Sequence, residues 1–116
     1  MKLGGDKELL ESLQLELRRG TLVLSVLSQM KEPKYGYALV QSLMDKGIAI
    51  DPNTLYPLLR RLESQGLLES EWETGGPKPR KYYKRTLYGT RIYSELLNEW
   101  NRMTQAMEKL SDGEGQ

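Results

Sequence analysis

The hydrophobic rhythm of this chain changes at Gly66 and changes back near Thr86, which limits the fold more than any other feature. Before Gly66, Leu55, Leu58, Leu59 and Leu62 fall at i, i+3, i+4 and i+7, the stripe of a helix packed on a core. After it, Leu68, Ser70 and Trp72 alternate with Glu69, Glu71 and Glu73, and RKYYKRT follows the segment GGPKP. Two extended segments around a Gly/Pro-rich loop predict a β-hairpin whose loop exceeds a two-residue turn. From Leu87 to Leu110 the helical period returns. Tyr93, Leu96, Trp100, Met103, Met107 and Leu110 alternate steps of three and four, an a/d seam of roughly two to three heptads.

Upstream of these segments the pattern is helical. From Lys7, KELLESLQLELRR sets Leu9, Leu10, Leu13 and Leu17 at helical spacing; Gly20 interrupts, and TLVLSVLSQM resumes as a more apolar, buried helix. KEPK reads as a turn. YGYALVQSLMDKG then places Leu39, Val40, Leu43 and Met44 on one side and ends at Lys46-Gly47, a common helix stop. IAI is long enough for one edge strand at most. Residues 1–6 and 111–116 are polar and Gly-rich and are expected to fray.

The helix from Asn53 has two possible starts. Asp51 caps it with Pro52 at the first helical position, in which case Pro57 forfeits a backbone hydrogen bond and bends the helix. Alternatively Thr54 caps, and Pro57 lies in the first turn at little cost. Gly66 ends the helix either way. Opposite the leucines stand Asn53, Pro57, Arg60 and Ser64, flanked by Tyr56 and Arg61.

Several function classes are excluded or disfavoured. The chain has no Cys and no His, which removes disulfides, thiol catalysis, Cys-based metal sites, His triads and His-ligated metals. The 16 acids are scattered on predicted helix faces with no pair in a pocket-forming context, so no enzyme, metal or cofactor is expected. The start MKLGGDKELLES lacks an apolar signal core and no apolar run could span a bilayer, so a cytoplasmic protein without a membrane partner is expected. The net charge of +1 is uninformative, but its distribution is not. Lys78, Arg80, Lys81, Lys84, Arg85 and Arg91 fall in one stretch without an acid, immediately after Glu69, Glu71 and Glu73. Such a patch can turn a surface toward phosphates.

Helices followed by a hairpin and a long helix make a mainly α chain with a small β component. A helix presenting a polar face beside a hairpin is a helix-turn-helix with a wing. The major groove of double-stranded DNA admits one such helix. Asn53 can then pair with adenine, Arg60 or Arg61 with guanine or phosphate, and backbone N–H groups near Thr54 with phosphate. Tyr56 and Pro57 belong to the same surface. Tyr35 and Tyr37 either offer hydroxyls to phosphate or pack over the helix junction. At the wing, the small Gly75 and Gly76 let Lys78, Arg80 and Lys81 approach the backbone or the minor groove. Tyr82 and Tyr83 point to opposite faces, one to the core and one outward.

The strings YGYAL, NTLYPLLRRLESQGLLES and GGPKPRKYYKRTLYG resemble the signature of the PadR family of transcriptional regulators, over roughly residues 18–90. The pairing of TLYPLLRRLE with RKYY carries the specificity; helix-turn-helix periodicity alone does not. The resemblance implies a winged helix-turn-helix over residues 7–86, including the N-terminal helix. It further implies a dimerisation helix over 87–110 and, usually, repression at an inverted-repeat operator. The single long C-terminal helix is similar to the compact branch of the family. One departure is Lys84-Arg85, where relatives commonly have a polar residue and Leu; it bears on the packing of the second wing strand and leaves Arg85 facing DNA or solvent.

In the C-terminal helix Trp100 has two readings. It is a seam residue of a homodimer interface made by Leu13, Tyr93, Leu96, Trp100, Met103, Met107 and Leu110. Alternatively, as the resemblance implies, Trp100 and its symmetry mate also hold a flat hydrophobic effector. Leu96 and Met103 would then form adaptable walls, closed by Gln14 and Leu17. The rival to a DNA-binding regulator is a dimeric scaffold or carrier of a hydrophobic molecule that binds no DNA.

Overall fold

The computed structural model describes residues 3–112, so the expectations for residues 1–2 and 113–116 lie outside it. In chain order the elements are α1 (Leu3–Arg19), α2 (Leu22–Ser28), β1 (Lys34–Tyr35), α3 (Gly36–Asp45), α4 (Pro52–Ser64), β2 (Leu68–Glu73), β3 (Arg80–Arg85) and α5 (Leu87–Ser111). The first helix starts four residues before Lys7 and takes in Gly4, Gly5 and Asp6, with the acid of Asp6 in its first turn.

Local chemistry sets the ends of the helices. The Asp51 carboxylate accepts the Asn53 N–H at 2.8 Å, and Pro52 occupies the first helical position. This decides between the two starts. Pro57 lies inside α4, so the Asn53 carbonyl receives no N–H from the position four residues on. The far end closes on Gly66, whose φ of +81° suits glycine. Gly66 N–H donates to the Glu63 carbonyl at 3.0 Å and Leu67 N–H to the Leu62 carbonyl at 2.9 Å, a Schellman ending. α3 ends the same way on Gly47, with φ of +94° and Ile48 N–H donating to the Leu43 carbonyl at 2.8 Å.

The core is formed by Val26 and Leu27 of α2, Met30, Leu39, Val40 and Leu43 of α3, Ile50, and Leu55, Leu59 and Leu62 of α4, closed by Leu67, Leu68 and Tyr83. Leu58 packs against it partly buried. Met44 does not join its predicted companions: it is exposed, because Leu39, Val40 and Leu43 already fill the inward arc of a ten-residue helix.

The sheet has order β1-β3-β2, all antiparallel. The hairpin is where the period predicted it. Strand β1 departs from the turn that KEPK predicts: Lys34 pairs with Tyr83 and Tyr35 with Tyr82. IAI forms no strand; Ile50 turns into the core and Ile48 packs against it.

Two helices project from this module. The radius of gyration is 17.4 Å, where a compact chain of this length would have about 13 Å. Leu9, Leu10, Leu13, Leu15 and Leu17 of α1 are all at least half exposed. In α5, Tyr93 and Leu96 pack against the core, whereas Trp100, Met103, Met107 and Leu110 are exposed. Among the described residues no helix is long and apolar enough to cross a membrane.

Candidate nucleic-acid interface

With its leucines buried, α4 presents Asn53, Tyr56, Pro57, Arg60, Arg61 and Ser64 to solvent. The structure divides this surface. On one flank, a groove of about 800 Å³ between the start of α3, α4 and the wing is lined by Tyr35, Gly36, Tyr37, Ala38, Tyr56, Arg60, Trp72, Arg80, Lys81 and Tyr83. On the other flank, Thr54, Pro57 and Arg61 line a smaller cleft of about 350 Å³ with Arg19, Leu22, Val23 and Leu58. Asn53 lies exposed and lines neither, as does Lys78 in the wing loop.

The groove is held open by a close approach at Gly36. A Cβ there would overlap the Tyr56 ring, so glycine is what lets Tyr56 lie across the start of α3. Tyr56 is therefore part packing and part surface, with 41% of it exposed.

Register decides which wing charges face where. Leu68, Ser70 and Trp72 pair with Arg85, Tyr83 and Lys81 on the inner face, while Glu69, Glu71 and Glu73 pair with Lys84, Tyr82 and Arg80 on the outer face. On the outer face the Tyr82 hydroxyl donates to Glu71 at 3.0 Å and the Tyr35 hydroxyl to Glu73 at 2.5 Å. Those carboxylate acceptors are the chief reason that both phenols are harder to ionise than usual. The two rings meet edge to face at 5.8 Å, and the Arg80 guanidinium lies 5.3 Å from the Tyr35 ring centre. The Tyr35 ring thus packs against Tyr82 and Arg80, and its hydroxyl is engaged with Glu73. Tyr37, 72% exposed, is the tyrosine of the pair that faces solvent. Tyr83 is buried.

The basic stretch is not one patch. Lys81 is drawn inward: its ammonium lies 3.5 Å from Glu63 of α4, 5.3 Å from the Tyr83 ring centre and 6.0 Å from that of Trp72. Glu63 also accepts the Ser70 hydroxyl, which ties α4 to the wing. Arg85 is half-buried and also turns inward. Its Nη1 donates to the Leu27 carbonyl at 2.9 Å and its guanidinium stacks 4.6 Å from the Tyr93 ring centre. Reading the stretch as a continuous surface overlooked these partners, which come from α2, α4 and α5. Trp72 was missed as a groove residue; its place beyond Leu68 and Ser70 on the inner strand face carried the signal.

The family model for the PadR-like transcriptional regulators matches residues 23–95. The chain belongs to the PadR-like family of transcriptional regulators. Membership places it among regulators and not enzymes. It is 35% identical over 81 residues to a transcriptional regulator of Mycobacterium tuberculosis, covering 69% of this chain and 76% of that one. It is 56% identical to a PadR family transcriptional regulator from Eggerthella lenta of known crystal structure, with a TM-score of 0.89 over 94% of this chain and 97% of that one. The fold also matches Bacillus subtilis PadR crystallised with operator DNA, at a TM-score of 0.61 and 21% identity, covering 66% of this chain and 45% of that one.

The PadR-like match begins in α2 and ends within α5, so it leaves out α1 and the outer part of α5. At that border lies a largely apolar concavity of about 520 Å³, lined by Leu17, Arg18, Thr21, Leu24, Ser25, Ser28, Ile48, Tyr93, Leu97 and Trp100. Of the predicted effector residues it includes Leu17 and Trp100. Leu96 packs against the core instead, and Gln14 and Met103 are exposed outside the concavity. Leu97 was overlooked because it falls outside the a/d seam. Stepping back from Trp100 by three and then four residues reaches Leu97 and Tyr93 and would have found it.

Proposed function

We propose that this PadR-like chain is a cytoplasmic homodimeric repressor of transcription that binds an inverted-repeat operator in double-stranded DNA. The observation that carries the reading is the groove that sets Arg60 of α4 and Arg80 of the wing around one concave surface. Asn53, Arg60, Arg61 and Thr54 read base edges or adjoining phosphates, with Tyr56 and Pro57 shaping the face. Lys78 and Arg80 supply salt-dependent phosphate contact, and Tyr37 offers its hydroxyl. Lys81 contributes through its hold on Glu63. Bacillus subtilis PadR, which shares the fold, was crystallised in complex with operator DNA, which supports DNA as the partner.

Dimerisation buries the exposed faces of the two projecting helices: Leu13 on α1 and Trp100, Met103, Met107 and Leu110 on α5, continuous with Tyr93 and Leu96. Each such side chain contributes about 2 kcal/mol when fully buried, enough together to hold two copies. A flat hydrophobic effector beside Trp100 and Leu17 releases the operator by altering the separation of the two wings. On dimerisation, Gln14, Leu96 and Met103 of either subunit complete that site.

The two tryptophans allow one experiment to test both sites, since Trp72 lines the groove and Trp100 the concavity. Gel shifts against the DNA upstream of the gene are combined with fluorescence titration of a flat apolar dye, using Trp72→Phe to isolate Trp100. Binding of DNA that the dye weakens, with DNA weakening the dye by the same factor, supports the proposal. Dye binding with no DNA binding at any salt concentration favours the carrier reading. Equal dye affinity with and without DNA removes the effector.

A further inference from the structure

Arg85 closes β3, and four elements meet within the next few residues. Its backbone N–H donates to the Met30 carbonyl at 2.9 Å and its side chain to the Leu27 carbonyl at 2.9 Å, so strand β3 is bolted to the end of α2. The same guanidinium lies over Tyr93 of α5. Its Nε is buried without a hydrogen-bond partner, a cost that the charged contacts around it must offset. Thr86 follows: its hydroxyl donates to the Gly66 carbonyl at 2.7 Å and caps α5 by accepting the Gly89 N–H at 2.9 Å. A Cβ at Gly89 would overlap the Leu67 carbonyl, so the first turn of α5 rests directly on the backbone that ends α4.

Thr86 and Gly89 therefore pin the base of α5 to α4, but one pinned turn leaves a helix free to tilt. Beyond it, Ile92, Tyr93 and Leu96 pack on the core, and of these it is the Tyr93 ring that Arg85 holds. α5 has 25 residues. It is therefore about 37 Å long, and a tilt of about 10° at its base carries its far end through about 6 Å. If α5 joins two copies, that displacement is passed to the distance between their recognition helices. Two half-sites one helical turn of DNA apart tolerate little such error.

We propose that Arg85 is a positioning residue: through Tyr93 and Leu27 it fixes the direction of α5 relative to the wing, and so sets the spacing of half-sites that the dimer accepts. The proposal rests on the DNA-binding dimer described above. It assigns Arg85 no contact with DNA.

The test is selection of bound duplexes from a random pool by the purified full chain, reading both the half-site sequence and the gap between halves. The unaltered chain should favour one gap by about tenfold over its neighbours, the scale of one mismatched base pair. Arg85→Lys and Tyr93→Leu should keep the half-site sequence but cut that preference to about threefold or less, whereas Tyr93→Phe, which keeps the ring, should retain it. Thermal melting accompanies each variant; if Tyr93→Leu does not fold, Arg85→Lys against Tyr93→Phe carries the comparison. An unchanged gap preference in folded Arg85→Lys overturns the proposal, as does loss of the half-site sequence itself. If the unaltered chain enriches no sequence, the DNA-binding reading has failed, which is distinct from a variant that keeps its gap.

Discussion

In α4, Leu55, Leu59 and Leu62 are at most 1% exposed, while in α1 Leu9, Leu10, Leu13 and Leu17 range from 51 to 78%. The spacing is nearly the same in both helices. The difference is what lies opposite: α4 faces α3, β2 and the closing residues Leu67 and Leu68, whereas α1 leans away from the module. A stripe of leucines thus states that a helix has an apolar face; it does not say whether the same chain will cover it. One region is covered by its own chain, and the other is left exposed in it.

The largest effect expected is on the module. Gly89→Ala should cost about 3 kcal/mol or more, because the new methyl meets backbone that cannot rotate away, and urea unfolding will measure it. Leu59→Ala follows at about 3 kcal/mol, a loss that should not depend on protein concentration. Leu13→Ala sharpens the contrast. It should lower the melting temperature through association alone, so its effect should vanish under dilution to the monomer in sedimentation experiments. A concentration-independent loss there would place α1 in the module after all.

Arg60→Ala should weaken DNA binding by about 1–3 kcal/mol with the melting temperature nearly unchanged, whereas Lys78→Ala should lower the slope of log affinity against log salt by about one. The smallest effect concerns the outer wing face. Tyr35 and Tyr82 are raised above the usual 10.0 by hydrogen bonds to Glu73 and Glu71. A raised value in the folded state means that their contribution is fully present below 10.0 and fades as pH rises through the folded value. Ultraviolet titration should show two late phenols, and Tyr35→Phe should remove one of them.

Much of this molecule was legible before folding. The period changes near Gly66 and Thr86, the helix stops at Gly47 and Gly66, and the outward placement of Asn53, Arg60 and Ser64 all stand in the structure. These are local properties, written in spacing and backbone preference. What escaped depended on distant atoms. Two residues of β1 have no period to detect, and exist because Tyr82 and Tyr83 offer them an edge. Arg85 looked like surface charge because its acceptor, the Leu27 carbonyl, is 58 positions away. Lys81 looked free because Glu63 belongs to another element. Start alternatives for α4 could not be separated by pattern either, since Asp51 and Thr54 are both good caps; the Asp51 side chain reaching the Asn53 N–H settled it.

The row of Glu69, Glu71 and Glu73 on the outer wing face has a consequence for traffic along a chromosome. A regulator must find its site among a vast excess of other sequence, and uniform positive charge would hold it wherever it first landed. Here the carboxylates stand on the same strand face as Arg80 and Lys84, and the chain as a whole carries only +1. If the wing meets DNA as proposed, a wing built this way meets a duplex favourably from its tip and poorly from its side, and it adheres weakly in the wrong pose.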